Sequence, residues 1–477
     1  MNRRTLLLGT AALAGCTLGP AYERPATDVP PAFSATASSA AAAWPAPQWW
    51  RNFRSPELDG LIDRARTYNN DLVAAAARVI QADAQVRISG APLLPSLNGT
   101  ANDNYQRSGT GSSRSSSSLR TGSGRYFDNR TYSVGLSASY DFDFWGKNRA
   151  ALEAAQASAL ANRFDQETVA LTVVTSVAIT YFQMLAAQDR LRVAQRNLAD
   201  SRRILGAYRA RLGAGTANAL DVSQQEALVA GIEANIPNLR NNIQQQRLGL
   251  GILVGTPPER VNPEGGSLED LPLPEVAPGL PSELLLRRPD VAYAESLLIG
   301  QNANIRAARA AFFPDVTLTA SGGLTSAALS MLTGPGTLVA QLAAGLTQPI
   351  FDNGLRRGQL EVAKGRSQEL AANYGKAILQ SFTDVEQSLT ALQFAAEQET
   401  LEREAVRVAQ RSSSIANAQL QAGTIDIITS LNTQATLFND LDLLTQIRLS
   451  RFQALVNVYK ALGGGFQVGP NPMGTTP

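Results

Sequence analysis

The chain has 477 residues, with 42 Lys and Arg against 40 Asp and Glu, no histidine and a single cysteine. This composition excludes histidine-based acid–base catalysis, histidine-ligated metals, Cys–His nucleophiles and intramolecular disulfides. The balanced charge leaves no footprint for nucleic acid, and the sequence contains neither a phosphate-binding loop nor a dinucleotide-binding glycine fingerprint. We therefore expect a protein that is not an enzyme and that has no nucleic-acid partner.

The N-terminus, MNRRTLLLGTAALAGC, predicts a secretory signal peptide over residues 1–15. Arginines precede an apolar run that is too short for a spanning helix, which needs about 20 apolar residues. The ending Leu-Ala-Gly-Cys resembles the bacterial lipobox, so Cys16 is expected to carry a covalent lipid at the start of a lipidated segment over 16–56. Thr17 follows where inner-membrane lipoproteins typically have aspartate, which favours the outer membrane. The alternative is an unmodified cysteine after an ordinary signal peptide.

The next stretch predicts one helix and two strands. The helix covers residues 57–90 and the first strand covers 96–106. The second strand, over 131–143, comes from TYSVGLSASYDFDFWG, in which apolar or aromatic residues alternate with small or polar ones. The face predicted to contact lipid consists of Tyr132, Val134, Leu136, Tyr140 and Phe142.

Two long helices are predicted to follow, over residues 147–212 and 217–255. In the first, apolar residues recur at every seventh position from Val177 to Leu212, and Ser201 is among the small residues of the intermediate seam. This is the spacing of a coiled coil. Such a helix would be about 100 Å long at 1.5 Å per residue, which suits no ordinary compact domain. For the helices alone, a soluble bundle is the alternative.

A Pro-rich linker over residues 256–281 leads into a second set of elements. They are a helix over 282–311, strands over 315–325 and 338–350, long helices over 355–421 and 425–462, and a flexible Gly/Pro-rich tail over 463–477. Their order repeats the order of the first half. Residues 57–255 and 282–462 are therefore predicted to be two repeats.

Sequence matches support this internal duplication. WGKNRAALEAAQA resembles NGLRRGQLEVAKG, and LGAGTANALDVSQQEA resembles LQAGTIDIITSLNTQA, both at a separation of 208 residues. Earlier matches, among them LLPSLNGTA with FFPDVTLTA, are separated by 219 residues. A Ser/Gly-rich tract over 107–124 supplies the 11 additional residues of the first copy. Each repeat is thus expected to contribute a pair of strands.

The strands match a transmembrane β-barrel, in which lipid-facing apolar residues alternate with lumen-facing polar ones. Backbone polar groups in lipid must all be paired, so the sheet must close. Four strands are too few, because about eight are needed to surround packed side chains, and several chains must contribute to one barrel. Asp141 and Asp143 would then lie at its periplasmic mouth. The alternative is a half-buried sheet in a soluble protein.

Several motifs resemble the outer-membrane efflux lipoproteins of the TolC-like, NodT/OprM-type family. They are GCTLGPAYERP, GLPSELLLRRPDV, the two AGT turns and QPIFDNG, and the resemblance covers essentially the whole chain. It implies an α+β membrane protein that assembles as a homotrimer. Four strands per chain would form a twelve-stranded outer-membrane β-barrel, continued by a long periplasmic α-helical barrel.

The same resemblance implies a passive exit duct of a tripartite multidrug or solute efflux system. The duct would be anchored in outer-membrane lipid through Cys16 and would need no other cofactor or metal. A periplasmic adaptor protein would dock on helical hairpins at its tip and link it to an inner-membrane pump, usually of the proton-driven resistance-nodulation-division type. The alternatives are a duct for ATP-driven type I protein secretion and a periplasmic structural lipoprotein without a pore.

In this family the tunnel is narrowest just after the second-repeat turn, where hydrophobic and aspartate rings face the axis. Carried onto this sequence, the hydrophobic ring is Ile428, and the aspartate positions are Thr429 and Asn432, neither of which is acidic. The nearest carboxylate is Asp426, and Asp221 stands 208 residues before Thr429. Aspartate rings attract cations, and asparagine rings do so less. We expect weaker cation selectivity and a gate held mainly by Ile428 packing; alternatively, Asn432 is merely a polar helix residue.

The turns at this tip are predicted to dock the adaptor. Each has the pattern of a helix end, a glycine C-cap and a threonine that begins the next helix. Family members that tie the two hairpins with Tyr and Arg have them where this chain has Leu420 and Ile425, which cannot form those bonds. The predicted docking residues are Gly213, Ala214, Gly215 and Thr216 in the first turn, and Ala422, Gly423 and Thr424 in the second.

Overall fold

A computed structural model describes residues 22–26, 29–30, 33, 44–109, 126–276 and 281–466. The predicted signal peptide, the lipidation site Cys16, most of the Ser/Gly-rich tract and the tail from residue 467 onward lie outside these residues. Helices and strands make up most of the described chain, and they follow the same order in the two repeats.

The first repeat begins with two helices where the sequence predicts one. They are α1 (Pro56–Tyr68) and α2 (Asn70–Gly90), and the backbone is extended at Asn69 between them. The side-chain oxygen of Asn69 accepts hydrogen bonds from the amides of Asp71 and Leu72 at 2.9 and 3.1 Å. The helix breaks here because the Asn69 side chain caps α2 in place of continued backbone pairing.

The rest of the first repeat consists of strands β1 (Ser96–Gly109) and β2 (Tyr126–Phe142) and helices α3 (Lys147–Gly213) and α4 (Ala219–Leu253). Both strands extend further toward their connecting loop than the sequence predicts. The antiparallel register is continuous from Ser96 opposite Ser139 to Gly109 opposite Tyr126. Most of the added residues are polar or charged, and the two aromatic ones, Tyr126 and Phe127, are adjacent to each other, so apolar alternation could not mark this part as strand.

The second repeat contains α5 (Pro281–Leu284), α6 (Pro289–Ala310), β3 (Asp315–Ser326), β4 (Leu338–Thr347), α7 (Leu355–Gln421) and α8 (Ile427–Ala461). The helix predicted over 282–311 is interrupted before Pro289, because a residue that precedes proline disfavours the helical conformation. Strand β4 ends at Thr347 and not at 350. Pro349 has no amide proton with which to extend the ladder.

The described residues of one compact unit are 22–24, 81–109, 126–160 and 296–371. It holds a sheet with strand order β1-β2-β3-β4, in which every neighbouring pair is antiparallel. The helix segments of this unit approach each other closely at Gly300, where a Cβ atom would lie 3.2 Å from both the Ala154 carbonyl oxygen and the Ala157 Cβ. A larger residue at this position would therefore force the two helix segments slightly apart.

The described residues of the other unit are 25–26, 29–30, 33, 44–80, 161–276, 281–295 and 372–466, and an aromatic cluster lies in its core. The ring of Phe53 lies 4.9 Å from that of Phe182, which lies 4.9 Å from that of Phe452. Trp49 stacks on Tyr459 at 4.7 Å. Each such pair contributes about 0.5–1.5 kcal/mol beyond the burial of its area. The cluster fixes the N-terminal segment to α3 and α8.

The packed structure continues beyond residue 462, where the sequence predicts a flexible tail. Gly463 is buried and has a φ of +81°. A Cβ atom at this position would lie 1.9 Å from the Arg287 carbonyl oxygen, so only glycine fits. The remainder of the predicted tail, from residue 467, lies outside the described residues.

Candidate functional site

One face of the sheet, here called the outer face, is apolar over a long stretch. The residues predicted to contact lipid, Tyr132, Val134, Leu136, Tyr140 and Phe142, occupy alternate positions of β2 and therefore lie on this one face. The register adds Leu324 beside Val134, and Leu342 of β4 beside Ala320. Leu136 is 58% exposed and Leu342 is 74% exposed. A contiguous exposed apolar surface of this kind marks contact with lipid or protein.

The opposite face, here called the inner face, is polar. The register places Asn98 beside Ser137, Ser137 beside Ser321, and Ser321 beside Gln341. The adjacent rung consists of Ser96, Ser139, Thr319 and Ala343. Small hydroxyl and amide side chains are compatible with water, so the sheet has one lipid-compatible and one water-compatible face.

Aromatic residues flank the apolar band of the outer face. Near the α3 end of the sheet, Phe142 stacks on Phe144 at 5.5 Å and Trp145 stacks on Phe313 at 4.7 Å. From Phe142 to Tyr132 the strand rises about 33 Å, at about 3.3 Å per residue. With the usual barrel tilt of about 40°, this corresponds to a height of about 25 Å, the height of the apolar band of outer-membrane barrels.

Beyond Tyr132, toward the loop that connects β1 to β2, the outer face carries paired charges. Arg130 donates to Asp103 from Nε at 3.0 Å, and Arg107 pairs with Asp128 at 2.9 Å. The guanidinium carbon of Arg130 also lies 4.9 Å from the centre of the Tyr132 ring. These pairs mark the end of the apolar band.

The two hairpin turns, α3–α4 and α7–α8, have the same backbone structure. In the first, the amide of Thr216 donates to the Arg211 carbonyl at 2.9 Å, and the amide of Gly215 donates to the Leu212 carbonyl at 3.0 Å. This is a Schellman motif, which places Gly215 at a φ of +74°. The second turn repeats the pattern, with Gly423 at a φ of +73°. The helix end and glycine cap predicted from the sequence are therefore present in both turns.

The sequence predicts that the threonines of these turns begin the next helices, and this prediction is wrong. The hydroxyls of Thr216 and Thr424 each donate back to a carbonyl of the preceding helix, both at 3.1 Å. The residues that cap the next helices are Asn218 and Asp426. Each follows the threonine by two residues, where its short polar side chain can reach a free amide of the first helical turn.

The two carboxylates predicted near the gate, Asp221 and Asp426, both take part in helix N-caps. Asp221 and Asn218 form a reciprocal capping box, in which the Asp221 amide donates to the Asn218 side chain at 2.9 Å. The Asp426 carboxylate accepts the Thr429 amide at 2.7 Å. This hydrogen bond lowers the pKa of Asp426 below its usual range, because it favours the charged form.

An apolar cluster joins the two hairpins at the tip. It contains Leu205 and Tyr208 of α3, Val222 of α4, Leu420 of α7 and Ile427 of α8, all buried. Burial raises the pKa of Tyr208. Leu420, one of the positions at which some family members have a polar tie, thus contributes hydrophobic packing.

The predicted gate residues lie on the first turns of α8. Ile428 is 53% exposed, and Thr429 and Asn432 are also exposed. Ile428 and Asn432 lie on one face of the helix, because they are four residues apart. The structure brings Asp426 to Thr429 and keeps Asp221 in the cap of α4. Among the described residues, no group of three or more Cys, Asp and Glu side chains is placed to hold a metal ion.

A buried polar layer, which the sequence did not predict as a site, crosses between the hairpins. Gln434 of α8 donates to the Ser201 hydroxyl of α3 at 3.1 Å and to Asn197 Oδ1 at 3.3 Å. Gln225 of α4 donates to the Ser201 carbonyl at 2.9 Å. The sequence feature that could have indicated this layer is Ser201, a polar residue in the seam of the heptad pattern. Polar residues at such positions set the register of packed helices.

The sequence analysis also did not predict the buried carboxylate of Glu399. Glu399 of α7 is 2% exposed and pairs with Arg403, Arg448 and Arg451 at 2.8, 2.9 and 2.9 Å. Burial raises the pKa of Glu399, but the three arginines more than offset this effect and the pKa lies below its usual value. Arg448 also donates to the Leu268 carbonyl of the Pro-rich linker at 3.0 Å. The cluster therefore ties the linker to α7 and α8.

Comparison with known proteins agrees with these features. The model of the outer membrane efflux protein family matches residues 61–256 and 280–464. The chain is 39% identical over 427 residues to the pyoverdine export outer membrane protein OpmQ of Pseudomonas aeruginosa, with 88% of each chain covered. It is 31% identical over 460 residues to the cation efflux system protein CusC of Escherichia coli K12, with 95% of this chain and 97% of the relative covered.

A solved structure shows the same architecture. The open state of the MtrE outer membrane channel of Neisseria gonorrhoeae matches with a TM-score of 0.84 at 30% identity, covering 95% of this chain and 99% of that chain. The predicted combination of a β-barrel sheet and α-barrel helices, and the predicted family, are confirmed. The chain belongs to the outer membrane efflux protein family, as an outer-membrane component of an efflux system.

Proposed function

We propose that the protein is the passive exit duct of a tripartite efflux system and that it works as a homotrimer. The observation that carries this proposal is the sheet, which has an apolar outer face, a polar inner face, and two edges, β1 and β4, that are unpaired within the described chain. Lipid cannot satisfy the backbone groups of such edges. Pairing β4 of one chain with β1 of the next closes the barrel.

Three chains of four strands supply enough strands for an open lumen, because about eight strands already enclose a core filled with side chains. The test is the mass of the detergent-solubilised protein by native mass spectrometry, together with its migration before and after heating. A trimer that migrates anomalously until heated supports the proposal. A folded monomer, soluble without detergent, would favour the periplasmic structural lipoprotein instead.

The hairpin tip is proposed to be the gate. Ile428 is exposed on α8 directly beside the apolar cluster of Leu420 and Ile427, so three copies facing a common axis would close it by hydrophobic packing. Thr429 and Asn432, the positions that carry aspartate in relatives of this type, are neutral here. We therefore assign this gate a weaker preference for cations than an aspartate ring would give.

This assignment is tested by Asn432→Asp, with Asn439→Asp further along α8 as the matched control. The first variant restores an acidic ring at the predicted constriction, and we expect a reversal potential in a KCl gradient that shifts toward K⁺. The control should leave it close to the parent value. Equal shifts in both variants would show that Asn432 is an ordinary polar helix residue.

The exposed hairpin turns are proposed to dock a periplasmic adaptor. The rigid Schellman turns present Ala214 and Ala422 with neighbouring backbone at the end of each hairpin. An adaptor with a complementary hairpin tip would connect the duct to an inner-membrane pump of the resistance-nodulation-division type. Photo-crosslinking from position 214 or 422 in whole cells should capture a periplasmic adaptor, and crosslinks to an ATP-driven secretion system would instead favour that alternative.

The membrane anchor is proposed to include a covalent lipid on Cys16, consistent with the lipobox-like ending of the signal peptide. Mass spectrometry of the mature N-terminus should find diacylglyceryl and acyl groups on this residue. In the Cys16→Ser variant the lipid should be absent while the barrel still holds the protein in the outer membrane. An unmodified cysteine in the mature parent protein would refute the anchor.

A further inference from the structure

A cleft of about 320 Å³, here called the hairpin cleft, lies between the two helical hairpins. It is bounded by α3 at Asn197, by α4 between Ala227 and Asn235, and by α8 between Gln434 and Asn439. Small-molecule sites in proteins have volumes of about 300–1,000 Å³. The hairpin cleft is therefore large enough to hold a compact organic molecule.

The side-chain amide of Gln434, which lines the hairpin cleft, is only half satisfied. Its nitrogen donates to the Ser201 hydroxyl at 3.1 Å and to Asn197 Oδ1 at 3.3 Å. Its oxygen, Oε1, is buried and accepts no hydrogen bond within the described chain. Buried polar atoms are nearly always paired with protein, with ordered water or with a ligand. A donor from outside the chain is therefore expected at Gln434 Oε1.

A second buried acceptor of the same kind belongs to the polar layer beside the cleft. Gln225 of α4 is fully buried, and its side-chain nitrogen donates to the Ser201 carbonyl at 2.9 Å. Its Oε1, like that of Gln434, accepts no hydrogen bond from the described residues. The polar layer therefore has more buried acceptors than the described chain has donors for them.

The walls of the hairpin cleft are mainly apolar or small. Leu228 and Ile232 of α4 and Phe438 of α8 supply its larger apolar side chains. Gly231 keeps one side open, because it lies within α4 and no atom lies within 4 Å of its Cβ position. None of the described residues that line the cleft is ionisable. A charged ligand would lose its hydration there without gaining a charged partner, so the cleft favours a neutral one.

We propose that the hairpin cleft binds a neutral, largely apolar small molecule that carries an N–H donor. The apolar body of the ligand lies against Leu228, Ile232 and Phe438, and its N–H group donates to Gln434 Oε1. This assignment pairs a buried acceptor and covers apolar side chains at the same time, which is the usual combination in small-molecule sites.

A ligand in this cleft contacts both hairpins, because α3 and α4 form the first and α8 belongs to the second. It binds better when the hairpins are joined than when they are apart, and so it favours the joined arrangement. Ile428 precedes Gln434 by six residues on α8, so the ligand acts on the helix that carries the proposed gate. The binding does not depend on the proposed exit duct, and only the consequence for the gate rests on it.

The binding experiment uses the full-length protein in detergent, with the signal of empty micelles subtracted. The probe is acridone, which is neutral, fluorescent and mostly apolar and has one N–H donor. Its matched control is N-methylacridone, which has the same ring system without the donor. We expect saturable binding of acridone, with a Kd about three- to tenfold lower than that of N-methylacridone, because one hydrogen bond accounts for a ratio of this size.

Three variants locate the site. Gly231→Leu fills the cleft from α4 and should weaken acridone binding by at least about tenfold. Gly206→Leu is the matched control and should bind as the parent does, since Gly206 lies within α3, has open space around its Cβ position and does not line the cleft. Both variants replace a helical glycine by a better helix former. Gln434→Met removes the acceptor and should abolish the difference between the two probes.

Hydrogen exchange tests whether the ligand joins the hairpins. At an acridone concentration of about ten times its Kd, amides of α4 and α8 that exchange only when the hairpins separate should do so about tenfold more slowly. The same amides of Gly231→Leu should exchange at equal rates with and without acridone.

Each other outcome contradicts a distinct part of the proposal. Equal affinity of the parent for acridone and N-methylacridone would overturn the hydrogen bond and the class of ligand. Unweakened binding in Gly231→Leu would show that the hairpin cleft is not the site. Absence of saturable binding would mean that the buried acceptors serve water alone, and unchanged exchange despite binding would refute the effect on the hairpins. These outcomes leave the exit duct standing, because trimer mass and conductance test it separately.

Discussion

The side-chain amide of Gln434 in α8 donates to the hydroxyl oxygen of Ser201 in α3 at 3.1 Å, and this bond joins the second hairpin to the first. Ser201 is fully buried and Gln434 is 8% exposed. A buried polar contact in an apolar seam fixes one register of the helices, because any other register leaves polar groups unpaired. The two hairpins are therefore held in a specific arrangement relative to each other by this pair as well as by the apolar tip cluster.

The Gln434→Ala substitution should loosen this arrangement. It leaves Ser201 and Asn197 without their donor, at a cost of about 1–3 kcal/mol, and we expect longer and more frequent openings in single-channel recordings. Gln398→Ala, at an exposed position of α7, is the control and should behave as the parent. Identical gating in the two variants would show that the polar layer has no part in closure.

Glu399 should make the stability of the helical unit depend on pH. Its folded pKa lies below the usual value of 4.5 because of its three arginine partners, so the stabilisation is fully present above the unfolded-state pKa. It is lost as pH falls through the lower folded pKa. Glu399→Gln removes the carboxylate that pairs with three partly exposed arginines, and we expect a loss of about 1.5–3 kcal/mol at neutral pH.

The measurement is thermal or denaturant unfolding of both proteins across the acid range. The parent should lose stability on acidification below about pH 4.5, and the difference between parent and Glu399→Gln should shrink there. A difference that stays constant with pH would mean that the ionised carboxylate is not the source of the stabilisation.

The turn glycines offer a matched pair of substitutions. Gly215 and Gly423 have positive φ angles, so replacement by alanine should cost about 1 kcal/mol each. Gly206→Ala is the control, since Gly206 lies within α3 before the turn and has open space around its Cβ position. We expect weaker adaptor crosslinking in Gly215→Ala and Gly423→Ala, and no loss in Gly206→Ala. Equal crosslinking in all three variants would show that docking does not depend on the geometry of the turns.

The assignment of the two sheet faces is tested by neighbouring lysines. Leu136→Lys places a charge on the outer face near the middle of the apolar band, where it should cost about 2–4 kcal/mol in a membrane. Ser137→Lys places the same charge on the inner face, and we expect it to leave folding and membrane insertion nearly unchanged. The fraction of folded protein after refolding into lipid vesicles measures both effects. A greater cost for Ser137→Lys would reverse the assignment of the faces.

Much of the fold follows from two periodicities in the sequence. Alternation with a period of two marks β2 from Tyr132 to Phe142, and the heptad pattern from Val177 to Leu212 marks α3. Both are local signals that depend on which face is buried or in lipid. They do not mark the outer end of β2, where Arg130 belongs to the strand through pairing with Asp103 across the ladder.

Features decided by distant contacts could not be read from the pattern. Arg288, in the motif GLPSELLLRRPDV, is 7% exposed and pairs with Asp290 and Asp384 while donating to the Ala461 carbonyl at 3.1 Å. The sequence identifies the motif, but the fold reveals that Arg288 joins α6, α7 and the end of α8. The Glu399 cluster could not be predicted for the same reason. In the sequence, its arginine partners look like any other exposed arginines of a helix.

The most direct test of the gated duct is the single-channel conductance of the purified protein in a planar bilayer, beside the Ile428→Gly, Asn432→Gly variant. The Thr436→Gly, Asn439→Gly variant is the control for loss of helix stability, because both positions are also exposed on α8. We predict small or absent conductance in the parent and control, and a large, steady conductance in the gate variant. If none of the three conducts although each is folded and trimeric, the protein is not a gated channel.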